Sequence, residues 1–248
     1  MPKTTSSCVL PCHPKTSEIR QRPQTGTALA AIAYAPSCIL ESAHSASNGW
    51  GGARNRADRV SFTLRHDTVA NMLAAAAFAE QIGLAFNRHW TVHYEQAGIP
   101  DWEGAAFVGR LLAAARKWVR SMGGRLAAVW VRENGDGKGA HVHILLHIPA
   151  GLTLRTRTRA WIKVAGGKLN RRVSKVATIG GLLATANPDS ERYRPNAENV
   201  LTYLLKAADG DTAAALGLSR CGEAGPVIGK RAGGTQNIWR TARARARA

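Results

Sequence analysis

Residues 131–149 read VRENGDGKGAHVHILLHIP. The core of this stretch is the turn NGDGKG, at 134–139. Asn-Gly and Asp-Gly steps accept positive φ at low cost, so they close antiparallel hairpins. The run before the turn, RLAAVWVRE at 125–133, and the run after it, AHVHILLHI at 140–148, are short, apolar and rich in β-branched residues. Both read as strands. Side chains alternate faces along a strand, so His141 and His143 project from one side, about 6–7 Å apart. An antiparallel pairing folds Glu133 back beside them. Two imidazoles and a carboxylate make an open site for a divalent cation: Mn²⁺ or Mg²⁺ with further oxygen ligands, while zinc also fits the donors. The plain alternative is a pair of structural histidines in a strand. His147 has the same parity but lies about 13 Å from His143, too far to share an ion.

Working outward, HWTVHYEQAG at 89–98 alternates, with Trp90, Val92 and Tyr94 on one face and Thr91, His93 and Glu95 on the other. That is a further strand. DTVANMLAAAAFAEQIGLAF at 67–86 reads as a helix that Asp67 caps. EGAAFVGRLLAAARKWVRSMGG at 103–124 has an apolar stripe of Phe107, Leu111, Ala115 and Trp118, and its glycine pair ends the helix. RVSFTLR at 59–65 is a short strand and TRTRAWIKVAG at 156–166 a helix. PNAENVLTYLLKAADG at 195–210 is a clearer helix, opened by Asn196 and buried through Val200, Leu201, Leu204 and Leu205. The fold class is α/β (α+β): a sandwich with a central, mainly antiparallel sheet that carries the His-Val-His strand and helices packed on it. Residues 1–58, rich in Ser, Thr, Pro, Gly and Ala, are expected to be mostly disordered, with a short helix near 28–35. The folded domain then spans 59–235, and 236–248 is a basic tail.

Charge points to the partner. The chain of 248 residues has 34 Lys and Arg against 16 Asp and Glu. So large an excess favours a polyanion, nucleic acid ahead of an anionic membrane surface. No apolar run has the length of a membrane span, and the first residues lack a signal-like apolar segment, so a cytoplasmic protein is expected. Of Cys8, Cys12, Cys38 and Cys221, three fall in the N-terminal region, and no second ligand pair completes a zinc site around Cys8, Cys12 and His13. From 155 to 175 there is no acidic residue, while Arg155, Arg157, Arg159, Lys163, Lys168, Arg171, Arg172 and Lys175 crowd the stretch. Contacts from such a run to phosphates give affinity without sequence choice. Trp161 within it either packs the helix or stacks on a base. VIGKRAGG at 227–234 lacks phosphate-loop spacing and reads as an ordinary turn or as a basic loop offering Lys230 and Arg231 to phosphate. These cations are expected to line the face that bears the histidines.

Tyr203 and Lys206 stand three apart on a helix, hence on one face. A phenol and an ammonium near a metal suit attack on a phosphodiester: the oxygen attacks phosphorus and the cation offsets developing charge. With HWTVHY, HVH and YLLK in this order, the chain resembles the His-hydrophobe-His endonucleases, and among them the initiators of rolling-circle replication, over residues 88–209. The resemblance implies a metal-dependent nicking and strand-transfer enzyme on single-stranded or cruciform DNA. It implies Tyr203 as nucleophile forming a 5′-phosphotyrosine, Lys206 beside it, and Glu133, His141 and His143 as ligands. It also implies a plasmid, phage or mobile element as the replicon, with host helicase and polymerase as further partners. The tyrosine follows the histidines, whereas relaxases carry theirs ahead of them. Tyr193, in a proline-flanked loop, does not match the paired tyrosines of some phage initiators. A single-tyrosine transposase, or a basic binding module without chemistry on the same fold, are the alternatives.

Overall fold

The computed structural model describes residues 58–154, 156–179 and 191–248. The expected disorder and short helix before residue 58, Cys8, Cys12 and Cys38, and Arg155 lie outside the described residues. The chain is mixed α+β, built on a five-stranded antiparallel sheet with helices on both faces. In chain order the elements are β1 (Val60–Ser61), α1 (His66–Gln81), β2 (Arg88–Val92), a 3₁₀ turn (Asp101–Glu103) and α2 (Gly104–Ser121). Then come β3 (Ala127–Gly135), β4 (Gly139–His147), α3 (Arg157–Val164), β5 (Ser174–Thr178), α4 (Tyr193–Leu204) and α5 (Gly210–Ala215). The end is β6 (Val227–Ile228), β7 (Ala232–Gly234), a 3₁₀ turn (Gln236–Ile238) and α6 (Arg240–Arg245). The strand order is β5-β2-β4-β3-β7, and β1 and β6 form a separate small ribbon.

The alternation read from the β3–β4 hairpin divides the core. Ala140, Val142, Ile144 and Leu146 of β4 face α2 and α3, where they meet Trp90, Phe107, Leu111, Trp161 and Ile162. The Val, Leu, Ile and Phe side chains among these, buried fully, contribute about 1.5–3 kcal/mol each. Leu145 faces the other way, into a second core with Met72 and Leu73 of α1 and Leu201 and Leu204 of α4. His141 and His143 share the parity of Leu145, so they open on the α1/α4 side.

Several boundaries differ from the sequence reading. Asp67 sits inside the first turn of α1, behind Arg65 at the cap. Tyr193 opens α4, three residues before Asn196, with Arg192 at the cap. Pro195 permits this: a first helical turn needs no amide donor, and the ring already holds a helical φ. Tyr193 is therefore helical and buried, and its hydroxyl donates to the Phe86 carbonyl at 2.7 Å. The basic tail folds back. Ile238 is buried, and Arg243 donates to Asn71 of α1 at 2.5 Å.

Candidate metal centre and nucleophile

Backbone register makes the site. Glu133 of β3 pairs directly with His141 of β4, and Thr91 of β2 pairs directly with His143. Directly opposed residues of an antiparallel pair point to the same face. The hairpin turn fixes this register. Gly139 takes φ +67°, and a Cβ there would run into the Glu95 carboxylate, which accepts the Ala140 amide at 2.5 Å. Glycine meets both demands.

The side chains converge. One ligand atom each from Glu133, His141 and His143 lies within 4.8 Å of the others, and among the described residues this is the one such group that can hold a metal ion. Glu133 Oε2 is 3.6 Å from His141 Nε2 and 3.9 Å from His143 Nε2. All three are buried, at 4, 3 and 5% exposure, so the carboxylate sits where a compensating cation has most effect. Hydrogen bonds aim both rings. His141 Nδ1 lies 2.8 Å from the Gly139 carbonyl and donates to it, which turns Nε2 toward Glu133. His143 Nδ1 meets Thr91 Oγ1 at 3.0 Å and His89 Nε2 at 3.1 Å. His143 Nε2 is buried with no hydrogen-bond partner. A buried, unpartnered nitrogen directed at a carboxylate and a second imidazole is what a divalent cation would satisfy. The residues therefore fit the ion that the sequence suggested.

Charge at the centre is held by several groups. Burial pushes the Glu133 carboxyl up, but His141, the Lys206 ammonium and His143 together outweigh it and hold it down at about 2. Burial lowers His143 to about 3, against the pull of Glu133. At neutral pH the centre therefore carries an anionic Glu133 and a neutral, ligand-competent His143. Lys206 forms an ion pair with Glu133 Oε1, leaving Oε2 toward the histidines.

Tyr203 stands beside this cluster. Its ring lies edge-on to His143, centroids 5.2 Å apart, and 6.2 Å from His89. Lys206, just past the end of α4, holds its ammonium 4.6 Å from the Tyr203 ring centroid. Leu201, Leu204 and Leu205 bury the opposite side of this helix, as expected. Burial, and then the Glu133 charge, raise the Tyr203 phenol above its ordinary value, while Arg220 opposes them.

The cations expected on the histidine face are distributed differently. Arg157, Arg159 and Lys163 are exposed on α3, which packs with α2 against the other face of the sheet, and Arg157 lies over the Trp118 ring at 5.4 Å. Trp161 is buried between Trp90 and Trp118, so it packs and is closed to a base. Lys168, Arg171 and Arg172 are exposed on the connection before β5, where the Lys168 amide donates to the Ala97 carbonyl. Lys175 is exposed on β5, paired with Thr91, and so on the histidine face. Lys230 is exposed over the Trp130 ring, 5.6 Å from its centroid. Arg231 is buried and donates to the Ser61 and Gly225 carbonyls, so it braces the β6–β7 connection and is not free for phosphate.

Four neighbours of the site went unread: His89, Thr91 in its role toward His143, Arg220, and His93, whose ring stacks on His141 with centroids 5.0 Å apart. His89 shares the parity of Thr91 and His93, which was the available signal. His147 is structural, its Nδ1 bonded to the Ala85 carbonyl at 2.9 Å. Comparisons with family models, with curated proteins and with solved structures found no match. No helix among the described residues is long and apolar enough to cross a membrane.

Proposed function

We propose that the protein is a metal-dependent DNA-nicking and strand-transfer enzyme that starts rolling-circle replication of a plasmid, phage or mobile element. The observation that carries this reading is the placement of Tyr203 edge-on to His143, one of three convergent ligand residues, with Lys206 bridging the phenol ring and Glu133. A nucleophile, a cation and an ion site on one face are the parts that phosphodiester transfer needs. Glu133, His141 and His143 would hold Mn²⁺ or Mg²⁺, and the bound ion supplies Lewis-acid polarisation of a phosphoryl oxygen. Mn²⁺ accepts a mixed imidazole and carboxylate set more readily than Mg²⁺, which favours oxygen.

In the reaction the Tyr203 oxygen attacks phosphorus. The phenol O–H and the P–O3′ bonds break, a 5′-phosphotyrosine bond forms, and the proton ends on the departing 3′-oxygen through solvent. Lys206 and Arg220 offset charge that builds on the phenol oxygen and the phosphoryl group. By the resemblance to the His-hydrophobe-His endonucleases, the substrate would be single-stranded or cruciform DNA. The free 3′-hydroxyl would serve a polymerase, and a host helicase would unwind ahead.

Incubation with labelled single-stranded DNA from candidate origins and Mn²⁺ tests the reading. A covalent adduct that survives denaturing electrophoresis is expected. Tyr203→Phe should abolish adduct and nicking while DNA binding persists. An undiminished adduct in Tyr203→Phe would overturn the assignment of the nucleophile, and no adduct from the intact protein with any origin or ion would overturn the enzyme.

A further inference from the structure

From the contacts around His143 we infer that Thr91 and His89 are positioning residues for the metal centre: together they hold a hydrogen on Nδ1 of His143, so that Nε2 presents a lone pair to the ion. This rests on the metal half of the proposed function and is independent of the DNA half.

The geometry allows two proton arrangements on the His143 ring. In one, Nδ1–H donates between Thr91 Oγ1 at 3.0 Å and His89 Nε2 at 3.1 Å, and Nε2 is bare. In the other, Nδ1 is bare and Nε2 carries the hydrogen. The second arrangement buries an N–H with no acceptor in reach, because Glu133 Oε2 is 3.9 Å away and Nε2 has no partner. A buried unpaired donor costs about 1–3 kcal/mol. The first arrangement leaves only a bare lone pair at the same atom, which buried structures tolerate better. It also gives the Nδ1 hydrogen two acceptors. For His89 Nε2 to accept, His89 carries its own hydrogen on Nδ1, so donation runs outward from His143 in the site to His89 on β2.

The placement follows from the strand parity. His89 and Thr91 are two apart on β2, and Thr91 is directly opposite His143, so both side chains reach the same ring from the neighbouring strand. The His89 ring lies 5.1 Å from His143 and 6.2 Å from Tyr203, centroid to centroid. One side chain therefore touches both a ligand residue and the proposed nucleophile. Partners of this kind fix the tautomer and rotation of a ligating imidazole, and losing them typically costs 10–100-fold in metal affinity.

Two acceptors on one hydrogen predict a non-additive pair. Histidine-selective ¹⁵N labelling of the metal-free protein reads the tautomer directly, with the His143 signals assigned by their loss in His143→Ala. The wild type should show His143 with hydrogen on Nδ1. Thr91→Val and His89→Phe each leave one acceptor, and each should lower Mn²⁺ affinity only a few-fold by calorimetry. The double variant should lower it 10–100-fold and give a mixed His143 tautomer, whereas Thr91→Ser should restore wild-type behaviour. Were the double variant to unfold, the contrast between Thr91→Val and Thr91→Ser carries the same test on a smaller scale, and equal Mn²⁺ affinity in those two would overturn the inference. A wild-type His143 with hydrogen on Nε2 would overturn it, as would a folded double variant with unchanged tautomer and affinity. A wild type that takes up no Mn²⁺ would instead overturn the metal half of the proposed function, and the tautomer measured without ion would still decide the clamp.

Discussion

Glu133→Gln removes one charge and keeps the shape of the side chain. In the ion-free protein Glu133 is held at about 2, against an ordinary value of 4.5. One pH unit of such lowering corresponds to about 1.4 kcal/mol, so the folded state gains about 3 kcal/mol at neutral pH from keeping this carboxylate charged. The source is the set of donor and cationic groups around it, His141 first and Lys206 next. Because the folded value is depressed, the gain is complete above the unfolded value and fades as pH falls toward the folded one. At pH 3.5 about 2 kcal/mol should remain, and near pH 2 under 1. Urea unfolding of wild type and Glu133→Gln in chelator, at pH 7 and at pH 3.5, measures the gap at each. Histidines away from the cluster titrate alike in both proteins and cancel, whereas His89 and His143, which the Glu133 charge pulls up, titrate with it and belong to the gap. At pH 7 the same gap should separate melting temperatures by about 6–12 °C for a domain of this size. Saturating Mn²⁺ should stabilise the wild type further and the variant much less, since binding to the folded state alone raises stability by mass action. A gap that does not change with pH would refute the electrostatic account, and a variant more stable than wild type at pH 7 would show that the carboxylate is held there at a net cost.

Two further outcomes follow from the same geometry. Binding of an oligonucleotide should weaken steeply with salt, and replacing Arg157, Arg159 and Lys163 together should weaken it while leaving the nicking rate at saturating DNA unchanged, because α3 lies on the far face of the sheet; replacing Lys175, on the histidine face, should slow nicking even at saturation, and the reverse pattern would relocate the substrate. In chelator the protein should lose stability on acidification from about pH 6.5 toward 4: burial lowers His89 to about 4, His143 to about 3 and His147 in the same direction, so the unfolded chain binds protons that the folded chain does not, and a melting temperature flat across that window would contradict these burials.

The hairpin and its ligand residues were legible because two local signals agreed, a glycine-rich turn and a strict alternation of faces. The register that sets Glu133 against His141 follows from the turn length alone. His89 was not legible for the opposite reason. It meets His143 only because β2 lies beside β4 in the sheet, with α2 and β3 intervening in the chain, and no local pattern encodes that neighbour. β5 escaped notice because it is an edge strand: Lys175 and Ala177 are exposed, so SKVAT has little apolar alternation and its charge read as a run of phosphate contacts. The same charge run misplaced α3. A count of cations locates charge in the chain, whereas Trp161 and Ile162, which choose the face of the sheet, locate it in space. β7 reads AGG and offers almost no side chains to recognise. Its glycine at 233 is required because the Trp130 ring packs where a Cβ would stand.

The Tyr203 phenol makes the last prediction sharp. Burial and the Glu133 charge raise it above its ordinary value of 10, with Arg220 as the opposing cation. At every pH from neutral to 9, then, only a small and growing fraction of it is ionised. If attack requires the oxygen to have lost its proton, adduct formation at saturating DNA and Mg²⁺ should rise about tenfold per pH unit through this range, with no plateau. His89 and His143 cannot produce such a slope, because they are already neutral well below pH 6.5. Arg220→Ala removes a cation that favours the ionised phenol, so it should lower the rate at fixed pH and keep the slope. A plateau reached below pH 9 would mean either that the phenol in the working complex is far more acidic than in the free protein or that a step after attack limits the rate, and either would refute the expected slope. A rate independent of pH would remove phenol ionisation from the mechanism and leave the proton to depart with bond formation at phosphorus.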